Sequence, residues 1–181
     1  MLKQTSLITI SFALVSVLIS GCSQSDGYST SESSSTVSTE TLLGTDSNNN
    51  GVRDDVEEKI VKKFKRPVEQ ALMMQYAKID QQILKDPVAA AKSDALDQEL
   101  FNTEACLGYL MDNHNVDFDR DYGNPINYLD GIVYNNKERI EAYLKYNQGK
   151  SGGSYSVPNP WKDDVESACD FNVTEMIELE K

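Results

Sequence analysis

Apolar residues recur at helical spacing through most of this 181-residue chain. Val52, Val56, Ile60, Val61 and Phe64 share one side of a 3.6-residue period, which predicts a helix over 52–65 that stops before Pro67. Pro67 suits the first position of a second helix, whose inner side is marked by Val68, Leu72, Tyr76, Ile79 and Ile83. Asp86 followed by Pro87 pairs an N-cap with a proline at the first helical position. A third helix is predicted from there toward Met111, through Ala91, Ala95, Phe101, Cys106 and Leu110, with a break near Asn102. Residues 113–125 are polar and read as a loop, and 126–134 fit helix or strand. Asn136 caps a helix over 137–147 with Ile140, Tyr143 and Leu144 on its apolar side. A Gly/Ser/Pro loop over 149–160 leads to a last helix, opened by Asn159 and Pro160 and running through Cys169. The aromatic and Met positions fall within these stripes and read as core rather than pocket lining. The expected fold is an all-α domain of about five helices.

The N-terminal stretch follows a different pattern. Lys3 precedes an apolar run from 7 to 19, and small residues follow it. The run is shorter than the roughly 20 residues a membrane span needs, so it reads as a signal peptide over 1–21. Residues 23–41 are dominated by Ser and Thr and cannot bury enough surface to offset their ordering entropy. They read as a tether with a mean reach of about 25 Å. Ile19, Ser20, Gly21 and Cys22 together resemble the lipobox of bacterial lipoproteins. That resemblance implies that the Cys22 thiol carries a diacylglycerol and becomes the first mature residue. It also implies, from Ser23 in place of Asp, an outer-membrane address facing the periplasm. The expected organisation is signal peptide 1–21, lipidated tether 22–43 and helical domain 44–181.

Charge narrows the partners. Seventeen Lys and Arg against 29 Asp and Glu give a net charge of −12. An acidic surface repels phosphate backbones, so nucleic acid is excluded as a natural partner, while the lipid anchor supplies the membrane contact. Metal cations or a basic protein fit better, and acidity also serves solubility. With Cys22 assigned to lipid, Cys106 and Cys169 remain as an even pair in an oxidising compartment. A disulfide is expected, the alternative being two buried thiols.

The stretch 46–57, DSNNNGVRDDVE, matches a calcium loop at every specified position. Calcium takes six to eight oxygens, and alternate positions of a tight loop point inward. Asp46, Asn48 and Asn50 offer side-chain oxygens, Val52 its carbonyl, Asp54 a direct or water-mediated contact, and Glu57 both carboxylate oxygens. Gly51 permits the sharp turn. The preceding residues 41–45 are poor helix material, so the segment resembles the loop-then-helix modules of dockerins and thrombospondin type 3 repeats more than a paired EF-hand. Two neutral Asn ligands imply an affinity on the order of 10⁻⁴ to 10⁻³ M. The alternative is a turn leading into a helix with an acidic first turn. The stretches 50–56, NGVRDDV, and 136–144, NKERIEAYL, also resemble uncharacterised bacterial secreted proteins, which brings no activity with it.

Other candidates fail on spacing. Asp117, Asp119 and Asp121 alternate like a second loop, but Tyr122 stands where glycine is required. Gly149, Lys150 and Ser151 lack the upstream glycine and strand of a phosphate loop. His114, the one histidine, sits beside Asp112 and reads as solvated. The leading expectation is a non-enzymatic, lipid-anchored calcium-binding domain with an interaction or envelope-structural role. An inhibitor or immunity-type protein for a basic toxin or lytic enzyme is the second reading, and a carboxylate-based hydrolase the third.

Overall fold

The computed structural model describes residues 42–153 and 165–181. The expected signal peptide, most of the expected tether and Cys22 lie outside the described residues, as does the start of the expected last helix. Among the described residues every regular element is helical: α1 (Asp54–Lys63), α2 (Pro67–Lys85), α3 (Pro87–Ala90), α4 (Asp94–His114), α5 (Phe118–Tyr122), α6 (Pro125–Val133), α7 (Lys137–Lys150), a 3-10 turn (Glu166–Ala168) and α8 (Val173–Glu178). Five of them, α1, α2, α4, α6 and α7, have nine residues or more.

α2 is the central element. Val68, Leu72, Met73, Tyr76, Ala77, Ile79, Ile83 and Leu84 are all buried on it, spread over more than one face. It packs against α1, α3, α4, α6, α7 and α8. The main core adds Val52, Val56, Ile60 and Phe64, then Cys106 and Leu110 of α4, Leu129 and Val133 of α6, and Val173 of α8. Each large aliphatic buried here stabilises by about 1.5–3 kcal/mol. Phe64 meets Phe118, Tyr122 and Tyr128 edge-on at 5.6, 5.0 and 5.8 Å. Leu42 and Leu43 pack against the same core, so the ordered domain already includes the last two residues assigned to the tether.

Four sequence expectations are corrected. The break in the third helix falls at 91–93 rather than at Asn102. Ser93 causes it, because its hydroxyl accepts the N–H of Leu96 at 3.1 Å and starts α4 afresh. Asn102 stays helical, its side chain taking a hydrogen bond from Gln98. The expected loop over 113–125 contains α5, capped by Asp117 and held by Phe118 and Tyr122 against Phe64. α7 is rotated from the expected face: Tyr143 packs against the core as expected and Arg139 and Ala142 are buried, whereas Ile140 and Leu144 are 46% and 59% exposed. The reason is that Arg139 donates to Leu42 O at 2.9 Å and Asn135 Oδ1 at 2.5 Å, which fixes the helix rotation. Finally, Cys169 stands in extended backbone after the 3-10 turn, and Asn172 caps a separate helix, α8.

Two long-range closures hold the ends. Cys106 and Cys169 form a disulfide, with Cα atoms 4.9 Å apart and a sequence separation of 63. Arg66, at the start of α2, donates to His114 O at 3.0 Å, to Asn115 O at 3.1 Å and to the Glu180 carboxylate at 3.0–3.2 Å. Its own N–H is taken by buried Glu69 at 3.2 Å.

Candidate calcium site

The loop 46–57 precedes and opens α1, and its polar groups turn inward on one another. Asp46 accepts the N–H of Asn50 at 3.2 Å and of Gly51 at 3.0 Å. Asn48 Oδ1 accepts the N–H of Asn50 at 3.1 Å, and Asn50 Oδ1 that of Val52 at 2.9 Å. Across the loop, Asn48 Nδ2 donates to both Glu57 oxygens at 3.3 Å, and Asn50 Nδ2 donates to Glu57 Oε1. Gly51 has φ +89°, the left-handed conformation that the turn requires and that a Cβ resists. Four of the six expected ligands, Asp46, Asn48, Asn50 and Glu57, are therefore gathered by direct or chained hydrogen bonds. Val52 joins them through its backbone, while its side chain is 1% exposed in the core.

Asp54 faces elsewhere. Its two oxygens accept the N–H of Ser47 at 2.8 Å and the hydroxyl of Ser47 at 2.6 Å. The Ser47 hydroxyl, then its backbone N–H, hold this carboxyl below the ordinary aspartate range. With both oxygens so engaged, Asp54 suits the water-mediated contact rather than the direct one.

The donor set fits calcium. Its oxygens are hard and partly neutral, and the 3.3 Å from the Asn48 amide nitrogen to the Glu57 oxygens is of the size that separates neighbouring ligands on an ion with bonds of about 2.3–2.6 Å. Rotation of the amides brings Oδ1 where Nδ2 now stands. Among the described residues no group of three or more His, Cys, Asp and Glu is placed to hold a metal. The loop links the carboxylates of Asp46 and Glu57 through Asn50, and its remaining donors are amides and a carbonyl.

Around the loop stand residues that spacing did not mark. Arg53 is 0% exposed and donates to Ile132 O at 3.1 Å and to Val133 O at 3.3 Å, the last carbonyls of α6. It also pairs with Asp55 at 2.6 Å. Burial acts to raise the Asp55 carboxyl, but the hydrogen bond and charge of Arg53, with Lys59 and Arg139, hold it below its ordinary value. Gly44, at φ +70°, lies so close that a Cβ there would stand 2.2 Å from Arg53 Cδ. The entering segment is pinned further: Gln81 donates to Leu43 O at 2.8 Å, and Asp54 N–H to Thr45 O at 2.8 Å. The one sequence signal for Arg53 was its place between Val52 and Val56, both of which had to be buried.

A cleft of about 460 Å³ adjoins the loop, lined by Leu43, Asp46, Asn50, Gly51, Lys78 and Lys85 among others. The other candidates are accounted for. Arg120 bridges Asp117 at 3.7 Å and Asp121 at 2.7 Å, which offsets part of the charge of the second acidic stretch. Lys150 pairs with Asp97. His114 is half-buried against the Tyr109 ring at 5.4 Å rather than solvated beside Asp112. Asp80 accepts the Tyr134 hydroxyl at 2.9 Å, and burial, with Asp130 nearby, pushes its carboxyl up to about 7. Burial also raises Asp130. These two acids lie outside the cleft beside the loop and outside two smaller clefts along α2. No protein-family model, curated protein or solved structure matches the chain.

Proposed function

We propose that the protein is a lipid-anchored domain of the bacterial envelope, facing the periplasm, that binds one calcium ion in the loop 46–57 and serves an interaction or structural role. The observation that supports the calcium reading is the convergence of Asn48 and Asn50 on Glu57 at the start of α1, with Asp46 held to the Asn50 and Gly51 N–H groups. Asp46 and Glu57 supply charge, Asn48, Asn50 and Val52 supply neutral oxygens, and Asp54 orients a water. Calcium itself contributes a fixed positive centre that relieves the repulsion among the loop acids and ties the chain entry to α1. Anchoring through Cys22 rests on the lipobox resemblance and gives the domain an extracytoplasmic setting, where weak calcium sites are occupied.

Calorimetric titration of the folded protein tests the site. The expected result is one calcium per chain with a dissociation constant on the order of 10⁻⁴ to 10⁻³ M and a calcium-dependent rise in melting temperature. Glu57→Gln is expected to weaken binding on the order of tenfold or more. Absence of both heat and a melting shift in the wild type rejects the site.

A further inference from the structure

We propose that Arg53, which is not a calcium ligand, is the positioning residue of the loop, and that Gly44, outside the twelve loop positions, acts on calcium affinity through it. This rests on the calcium reading above. Arg53 follows the carbonyl ligand Val52 directly. Its own carbonyl accepts the N–H of Val56 at 2.9 Å and of Glu57 at 3.0 Å. Where Arg53 stands therefore sets where α1 begins and how Glu57 addresses Asn48 and Asn50.

What fixes Arg53 is remote from the loop. Its guanidinium is fully buried and reaches residues 132 and 133, eighty positions on, at the C-terminal end of α6. The last carbonyls of a helix lack partners within it and carry its negative end, so a buried cation satisfies both needs at once. Asp55 holds the other edge of the guanidinium at 2.6 Å. Gly44 completes the slot, because any Cβ there collides with the Arg53 side chain. A loop held near its binding conformation loses less affinity to ordering than a free one. Reciprocity then requires that calcium strengthen the contact of Arg53 with α6.

The test compares calcium affinity by calorimetry in wild type, Gly44→Ala, Arg53→Lys and Tyr128→Phe. Gly44→Ala touches no ligand and is expected to weaken binding roughly 5- to 150-fold, as is Arg53→Lys. Tyr128→Phe is the control: it removes a different link between α6 and α1, the hydroxyl that donates to Lys59 O at 3.2 Å. It is expected to leave affinity unchanged. If Gly44→Ala or Arg53→Lys does not fold, hydrogen exchange of residues 132–136 in the wild type decides, with slower exchange expected on saturation with calcium. Wild-type affinity in both Gly44→Ala and Arg53→Lys, an equal loss in Tyr128→Phe, or calcium-independent exchange at 132–136 overturns the proposal. A wild type that gives no calcium heat fails the calcium reading itself, which is a separate result.

Discussion

Asp80 shows what one enclosed carboxyl does to a helical domain. It sits on the central helix under the Tyr134 hydroxyl, with Asp130 nearby, and burial lifts its carboxyl from 3.8 to about 7. The folded state thus holds a proton that the unfolded chain releases near pH 4. The favourable contribution is full below that value and is lost as pH rises through about 7. Asp80→Asn keeps a neutral acceptor for Tyr134 and removes the titration. Urea unfolding at pH 5 and pH 8 is expected to show a drop in wild-type stability at the higher pH and a smaller drop in the variant. Equal drops in the two proteins count against the assignment. The same contrast between local and remote causes separates Glu57 from Arg53. Glu57 was legible because its partners lie within the loop. Arg53 was not, because its acceptors at 132 and 133 come from a helix eighty positions away.

At the scale of elements, caps and prolines were the readable signals. Pro67, Asp86 with Pro87, and Asn136 each stand where a helix starts. α5 and α8 were missed because five- and six-residue helices are too short to show a period. The rotation of α7 was missed for a different reason. Its apolar residues suggested that Ile140 and Leu144 face inward, yet the hydrogen bonds of Arg139 to Leu42 and Asn135 outweigh that stripe. Stability measurements check this directly. Ile140→Ala is expected to change stability by no more than about 0.5 kcal/mol, as for an exposed site. Leu110→Ala, on a residue with 0% exposure in α4, is expected to cost about 2–5 kcal/mol. A large loss at Ile140 would mean that something covers the outer face of α7.

For the whole molecule, the all-helical class and the pairing of Cys106 with Cys169 were both readable, the first from periodicity and the second from cysteine number and compartment. The disulfide closes 63 residues of chain, which constrains the unfolded state by about 4 kcal/mol in the chain-entropy model. Urea unfolding with and without reductant is expected to differ by about that amount, and equal midpoints would place the stabilisation elsewhere. The other closure has a consequence for biogenesis. Arg66 waits for Glu180, 114 positions downstream, and until it arrives the guanidinium has lost one of its three partners. A chain made from its N-terminus cannot complete this clasp until residue 180 has been added. The contacts of Arg66 with His114 O and Asn115 O can therefore form first, and the Glu180 carboxylate is the last piece of the clasp to be added.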